Sequence, residues 1–217
     1  MVELGLKLTL AYLLGSVIGS LVVGRFHGGV DIRTLGSGNA GGTNALRTQG
    51  KAFAFWVMVI DVGKGILAAA TIPDLDIPGV GFDPEVDRAL VLYGVSFAAI
   101  VGHVFPIWFG FRGGKGGATA AGLVIYLAPT VAVAVLGAWL LVVLLTGFVG
   151  LATICAGLAA TLFVGLTRLP ESSGLFAYAC CNALLLIYTH RGNIRRMLNG
   201  TEPRFARPVF SRLLGGK

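Results

Sequence analysis

Charged side chains are scarce in this chain: 17 basic and 10 acidic residues among 217, or 12% charged, where a soluble domain carries about 25%. With 55% hydrophobic residues, that scarcity excludes a water-soluble globular domain and implies an integral membrane protein. Cysteine is sparse too. Cys155, Cys180 and Cys181 lie inside apolar runs with no CxxC or histidine-rich neighbourhood, so neither a disulfide framework nor a metal site is expected. No period of 20 to 50 residues repeats, which argues against a solenoid, and no inverted repeat of the transporter kind stands out. The first apolar run lacks the basic flank of a signal peptide and is read as a retained helix.

Apolar runs do abound, at about 4–24, 52–72, 89–111, 118–146, 148–167 and 174–189. A span needs roughly 20 residues, so the run 118–146 is too long for one and divides at Ala128-Pro129. The expectation is an all-α bundle of about seven transmembrane helices forming a single domain over 1–217, its 33 glycines favouring close helix packing.

Charge asymmetry orients the bundle, because Lys and Arg gather on the cytoplasmic side. Arg25, Arg33, Arg47 and Lys51 fall in the first polar loop, and Arg112 and Lys115 follow the third run. Asp74, Asp76, Asp83, Glu85 and Asp87 face a lone Arg88 in the intervening loop. The tail holds Arg191, Arg195, Arg196, Arg204, Arg207, Arg212 and Lys217 against Glu202. An odd number of spans puts all the basic segments inside, with the N-terminus outside. Phe205, Val209, Phe210, Leu213 and Leu214 among the tail arginines suit contact with anionic headgroups.

Three polar islands share the cytoplasmic face. The first, at 36–47, combines Gly36, Gly38, Gly41 and Gly42 with Ser37, Asn39, Thr43, Asn44 and Arg47. Glycines let backbone N–H groups converge on an anion, and Arg47 adds charge. The second, at 102–119, runs from Gly102-His103-Val104-Phe105-Pro106 to Gly113-Gly114-Lys115-Gly116-Gly117. It reads as a phosphate nest opening a helix, although its spacing is not that of a Walker loop. His103 either satisfies a carbonyl freed by Pro106 or meets substrate, and the structural role is preferred. The third, at 190–202, places His190 and Asn193 on one helix face, followed by Arg195, Arg196 and Glu202. Within the second run Asp61 and Lys64 stand three residues apart, the spacing of a structural ion pair.

Together these islands resemble the three motifs of the bacterial acyl-phosphate:glycerol-3-phosphate acyltransferase family, the PlsY type. The matching residues are Ser37-Gly38-Asn39, Gly42-Thr43-Asn44 and Arg47; then Gly102 to Pro106 with Gly113 to Gly116, Ala118 and Thr119; then His190, Asn193, Arg195, Arg196, Gly200 and Glu202. Met197 replaces an expected leucine, and the acidic loop around 74–87 is long. The resemblance implies transfer of a fatty acyl group from acyl phosphate to the 1-hydroxyl of glycerol 3-phosphate, giving lysophosphatidic acid and phosphate at the inner face of the bacterial cytoplasmic membrane. It implies no cofactor and no nucleic acid. The implied partners are the two substrates, the bilayer and, as a candidate, the soluble enzyme that forms the acyl phosphate.

Ser37, His190 and Asn193 are the implied catalytic residues. Gly38, Asn39, Thr43, Asn44, Arg47, Gly113, Gly114, Lys115 and Gly116 are the implied phosphate ligands; Asp61, Lys64, His103 and Glu202 are structural or unassigned. The His-x4-Asp motif of other glycerolipid acyltransferases is absent, since only three residues separate His27 from Asp31. Direct transfer is preferred to an acyl-Ser37 intermediate because no Ser-His-Asp constellation is visible. His190 and the substrate phosphate both remain candidate proton acceptors. A transporter of phosphorylated solutes is the alternative, and it would spread polar groups along both halves of a pathway.

Overall fold

The computed structural model describes residues 1–205, so the tail residues Arg207, Val209, Phe210, Arg212, Leu213, Leu214 and Lys217 lie outside the described residues. Among the described residues the regular structure is helical apart from one isolated bridge, Ile77 to Val80. In chain order the helices are α1 (Val2–Gly15), α2 (Gly19–Phe26), α3 (Gly42–Gln49), α4 (Lys51–Thr71), α5 (Arg88–Val104), α6 (Gly117–Leu127), α7 (Pro129–Thr146), α8 (Val149–Arg168), α9 (Ser173–Thr189) and α10 (Arg191–Leu198). Two compact units result, Met1–Leu127 and Ala128–Lys217.

Among the described residues four helical stretches are long and apolar enough to cross a bilayer: Lys51–Thr71, Arg88–Phe109, Pro129–Thr146 and Val149–Arg168. Two bent pairs bring the number to six, α1 with α2 at 45° and α9 with α10 at 53°. The seventh expected span corresponds to α6, whose 11 residues reach only about 17 Å against a hydrocarbon core of about 30 Å. The division at Ala128-Pro129 is present: Pro129 occupies the first turn of α7, where its missing N–H leaves no bond unmade.

In the first unit α1 packs along α5 and α4 along α6, and glycine decides how closely. A Cβ on Gly15 would overlap the Ala99 carbonyl oxygen, and one on Gly102 the Tyr12 oxygen. Across the other pair, a Cβ on Gly65 would lie 2.6 Å from the Thr119 oxygen, and one on Gly122 would overlap the Val62 oxygen. Backbones in van der Waals contact supply the attraction that lipid, itself apolar, does not supply. At one end of this unit Glu3 accepts from Lys7 (2.8 Å) and Arg88 (2.8 Å), and both cations lie over the Phe82 ring. The Met1 amino group pairs with Asp83. The acidic loop and the glycine loops lie at opposite ends of α4 and α5.

The first apolar run was expected as one helix, and it is broken between Gly15 and Gly19. The break is stabilised from α4. Asp61 accepts the Gly19 N–H at 3.0 Å, and Lys64 donates to the Val17 carbonyl at 2.6 Å. The Asp61–Lys64 pair expected from spacing is formed at 2.9 Å, and it caps the two helix ends that meet there.

In the second unit α7, α8 and α9 pack in sequence order. Only Val131 and Val143 of α7 are buried, leaving an apolar face suited to lipid. Trp139 donates to Thr153 at 3.2 Å across the α7–α8 pair. Beyond α10 the chain returns to the α7–α8 turn, where the Phe205 N–H bonds the Gly147 carbonyl at 2.8 Å and Arg204 lies over the Phe148 ring.

Candidate active site

The first loop is organised around Asn44, which is 1% exposed. Its oxygen accepts the Ser37 N–H at 2.9 Å, and its amide group reaches the carbonyls of Ile32, Leu35 and Asn39 at 2.9 to 3.0 Å. Gly36 and Gly38, at φ +56° and +72°, adopt the left-handed geometry that glycine allows without strain. Ser37 is presented at the exposed tip between them. The Gly38 N–H bonds the Leu35 carbonyl.

This geometry uses two of the N–H groups expected to form a backbone nest. Asn44 and the N–H groups of Ser37 and Gly38 bond within the loop, so Asn44 and Gly38 shape the site rather than offer donors to an anion. The groups turned outward are side chains: Ser37 and Arg47 are exposed, Asn39 and Thr43 partly so.

The second loop also uses two of its N–H groups internally. The Gly113 N–H bonds the Val104 carbonyl at 3.2 Å and the Gly114 N–H bonds the His103 carbonyl at 3.1 Å. The end of a helix leaves carbonyls without intrahelical donors, and these two glycines supply them. The Gly113 and Gly114 N–H groups therefore close α5. Lys115 follows, half-buried, then Gly116 at φ +86°, and α6 opens at Gly117 with its N-terminal dipole beside this turn.

His103 is not the partner of a carbonyl freed by Pro106. Its Nδ1 lies 2.8 Å from the Lys64 ammonium and 3.4 Å from Asp61 Oδ1. An ammonium has three N–H donors and nothing to accept with. Val17, Asp61 and His103 are the three acceptors, so His103 Nδ1 is unprotonated and the ring proton sits on Nε2.

Sequence reading missed Asp31 and Arg33. Asp31 receives the Arg33 guanidinium at 2.7 Å and the Arg33 backbone N–H at 2.9 Å. The Arg33 guanidinium beside it holds the Asp31 carboxyl below its ordinary range. The same guanidinium donates to the carbonyls of Phe109 (3.3 Å) and Arg112 (3.0 Å), clasping the first loop to the second. The local signal is an acid two residues before an arginine, an Asx-turn spacing.

In the second unit, α9 bends into α10 at His190. His190 Nδ1 lies 2.8 Å from the Leu186 carbonyl, which accepts only, so Nδ1 carries the proton and a neutral ring keeps its lone pair on Nε2. Asn193 donates to Glu202 at 2.6 Å, and Arg196 reaches the other carboxylate oxygen at 2.7 Å. A Cβ on Gly150 would lie 2.8 Å from the Asn193 amide nitrogen. Glu202, unassigned from sequence, thus orients Asn193. Among the described residues no cluster of histidine, cysteine or carboxylate side chains has the make-up of a metal site.

Helices without a sheet, apolar spans, and loops that display hydroxyls, amides and cations define a multi-pass membrane protein with polar chemistry at its helix ends. The family model for glycerol-3-phosphate acyltransferase matches residues 6–200, and the chain belongs to that family. It is 35% identical to the glycerol-3-phosphate acyltransferase of Chlorobium luteolum, covering 91% of this chain and 94% of that one. It is 36% identical to that of Pelodictyon phaeoclathratiforme over similar coverage, 91% and 94%. Among solved structures it is similar to PlsY (YgiH), an integral membrane glycerol 3-phosphate acyltransferase, in its glycerol 3-phosphate form, with a TM-score of 0.80, 34% identity and 99% of both chains covered. The lysophosphatidic acid form of PlsY matches with a TM-score of 0.78 at 35% identity, covering 94% of this chain and 95% of that one.

Proposed function

We propose that this acyltransferase takes its acyl group from acyl phosphate and delivers it to the 1-hydroxyl of glycerol 3-phosphate. The observation that carries the reading is the pair of cation-bearing loops, Arg47 in one and Lys115 in the other, clasped at one end of the first unit by Arg33. Two phosphate-bearing substrates call for two cationic sites. In the transfer the glycerol oxygen bonds the acyl carbon, the anhydride C–O bond breaks, and phosphate leaves with its electron pair. An anhydride with so good a leaving group needs mainly positioning and charge stabilisation.

Arg47 and Lys115 hold the phosphates, with Asn39, Thr43 and the backbone at Gly116 beside them. Ser37 and Asn193 orient the glycerol hydroxyl, and the departing proton passes to His190 Nε2, the ring nitrogen that the Leu186 bond does not use. The substrate phosphate is the competing acceptor. The basic loops face the cytoplasm of a bacterial inner membrane with the N-terminus outside, where a soluble acyl-phosphate-forming enzyme supplies the donor.

Mixing purified protein with glycerol 3-phosphate and palmitoyl phosphate should release phosphate and form lysophosphatidate in equal amounts. No release, or release that glycerol 3-phosphate does not accelerate, refutes the assignment. Direct transfer further requires that acyl phosphate alone yield no acylated Ser37 peptide; such a peptide, discharged by glycerol 3-phosphate at a competent rate, would establish the covalent route instead.

A further inference from the structure

Five buried contacts connect the two loops of the first unit through the membrane interior. The Ser20 hydroxyl donates to the Ala40 carbonyl of the first loop at 2.7 Å. Gly19, next to Ser20, donates to Asp61. Asp61 pairs with Lys64, and Lys64 donates to His103 Nδ1. The far edge of the His103 ring fills the space where a Cβ on Gly114 would stand, nearest Nε2. Gly114 precedes Lys115. Asp61 is fully buried, Lys64 is 5% and His103 2% exposed.

Charges held inside a membrane are costly and mark a role beyond filling space. A buried ion pair contributes little net stability relative to an apolar replacement, yet it fixes geometry, because each hydrogen bond admits a narrow range of distance and angle. We infer that His103, held by Asp61 and Lys64, is a positioning residue that sets the height of the Gly114-Lys115 segment relative to the first loop. The inference rests on Lys115 binding a substrate phosphate. His103 touches no substrate; it acts through Lys115, as the floor on which Gly114 rests.

A size exchange tests it. Asparagine at position 103 keeps an acceptor where Nδ1 stands, so Lys64 retains its third bond, but it empties the space beside Gly114. His103→Asn should raise the KM of one phosphate-bearing substrate about 10- to 100-fold, the scale of a misplacement near 1 Å. Gly114→Ala puts a methyl group into the ring and should do the same. The double variant His103→Asn/Gly114→Ala refills the space and should recover at least half of the loss on a logarithmic scale. In a Lys115→Ala background His103→Asn should add no further change. Losses that multiply in the size-exchange double variant, or that persist at full size without Lys115, overturn the inference. A Lys115→Ala enzyme with wild-type constants refutes the role proposed for Lys115, a result distinct from either. If His103→Asn fails to fold, Gly114→Ala alone decides: its KM must rise for the same substrate that Lys115→Ala affects, and a rise for the other substrate or none overturns the inference.

Discussion

Lys64→Met removes an ammonium whose three hydrogen bonds go to Val17, Asp61 and His103 at 2.6, 2.9 and 2.8 Å. Asp61, fully buried, keeps the Gly19 N–H, while its Oδ2 has no partner among the described residues. Deleting one member of a buried ion pair costs about 3–5 kcal/mol, and the orphaned Val17 carbonyl adds about 1–3 kcal/mol. The sum, about 4–8 kcal/mol, is comparable with the whole stability of a domain, about 5–15 kcal/mol. Lys64→Met/Asp61→Leu removes the unpaired charge and should recover part of this. Recovery stays incomplete because the pair also caps the break between α1 and α2: Val17 O and Gly19 N–H would both be orphaned, costing about 2–6 kcal/mol together. Denaturant unfolding in detergent, followed by tryptophan emission, gives both differences. A double variant as stable as wild type would refute the capping role and reduce Asp61 and Lys64 to a self-neutralising pair.

Truncating Lys115 to alanine should weaken productive binding of a phosphate-bearing substrate by about 2 kcal/mol, the scale of a charge-assisted bond. Lys115→Arg should recover little, since the guanidinium is larger and forked; unchanged steady-state constants for both substrates remove Lys115 from the site. Glu202→Gln keeps one acceptor for Asn193 but loses the charge facing Arg196, so kcat/KM should fall at least about tenfold, and wild-type kinetics would show that Asn193 needs no anchor. The Asp31 carboxyl has a depressed folded-state pKa, so the clasp's stabilisation is complete above about pH 4 and is lost as pH falls through the depressed value. Wild type and Asp31→Asn should therefore differ in thermal midpoint at neutral pH and converge on acidification, whereas a gap independent of pH contradicts the assignment.

Spans and islands were legible because a bilayer demands apolar length and tolerates charge only at helix ends or in pairs. The Ala128-Pro129 division and the Asp61–Lys64 pair followed from local spacing. The break after Gly15 did not: Gly and Ser near residues 15 to 20 are ordinary in a membrane helix, and the groups that cap the break are more than 40 positions away. The bonds inside the glycine loops were hidden for a related reason. Composition reveals that Gly38, Gly113 and Gly114 have N–H groups near a candidate phosphate, but only the folded chain reveals that Leu35, Val104 and His103 already accept them. Asn44 has the residue type of a ligand and the burial of a core group. Arg33 passed as a topology charge because Phe109 and Arg112, whose carbonyls it reaches, are distant in sequence.

The glycine contacts between helices have a genetic consequence. Every single-base change that converts a glycine codon to another amino acid installs a Cβ. At Gly15, Gly65, Gly102 and Gly122 that atom meets a backbone oxygen of the neighbouring helix, which cannot rotate away as a side chain can. Nearby Gly63 has nothing within 4 Å of the same position. Two codons of α4, separated by one residue, thus meet the same glycine-to-alanine mutation with opposite outcomes: at position 63 it replaces the least helix-favouring ordinary residue with the most favourable one, and at position 65 it forces two helices apart.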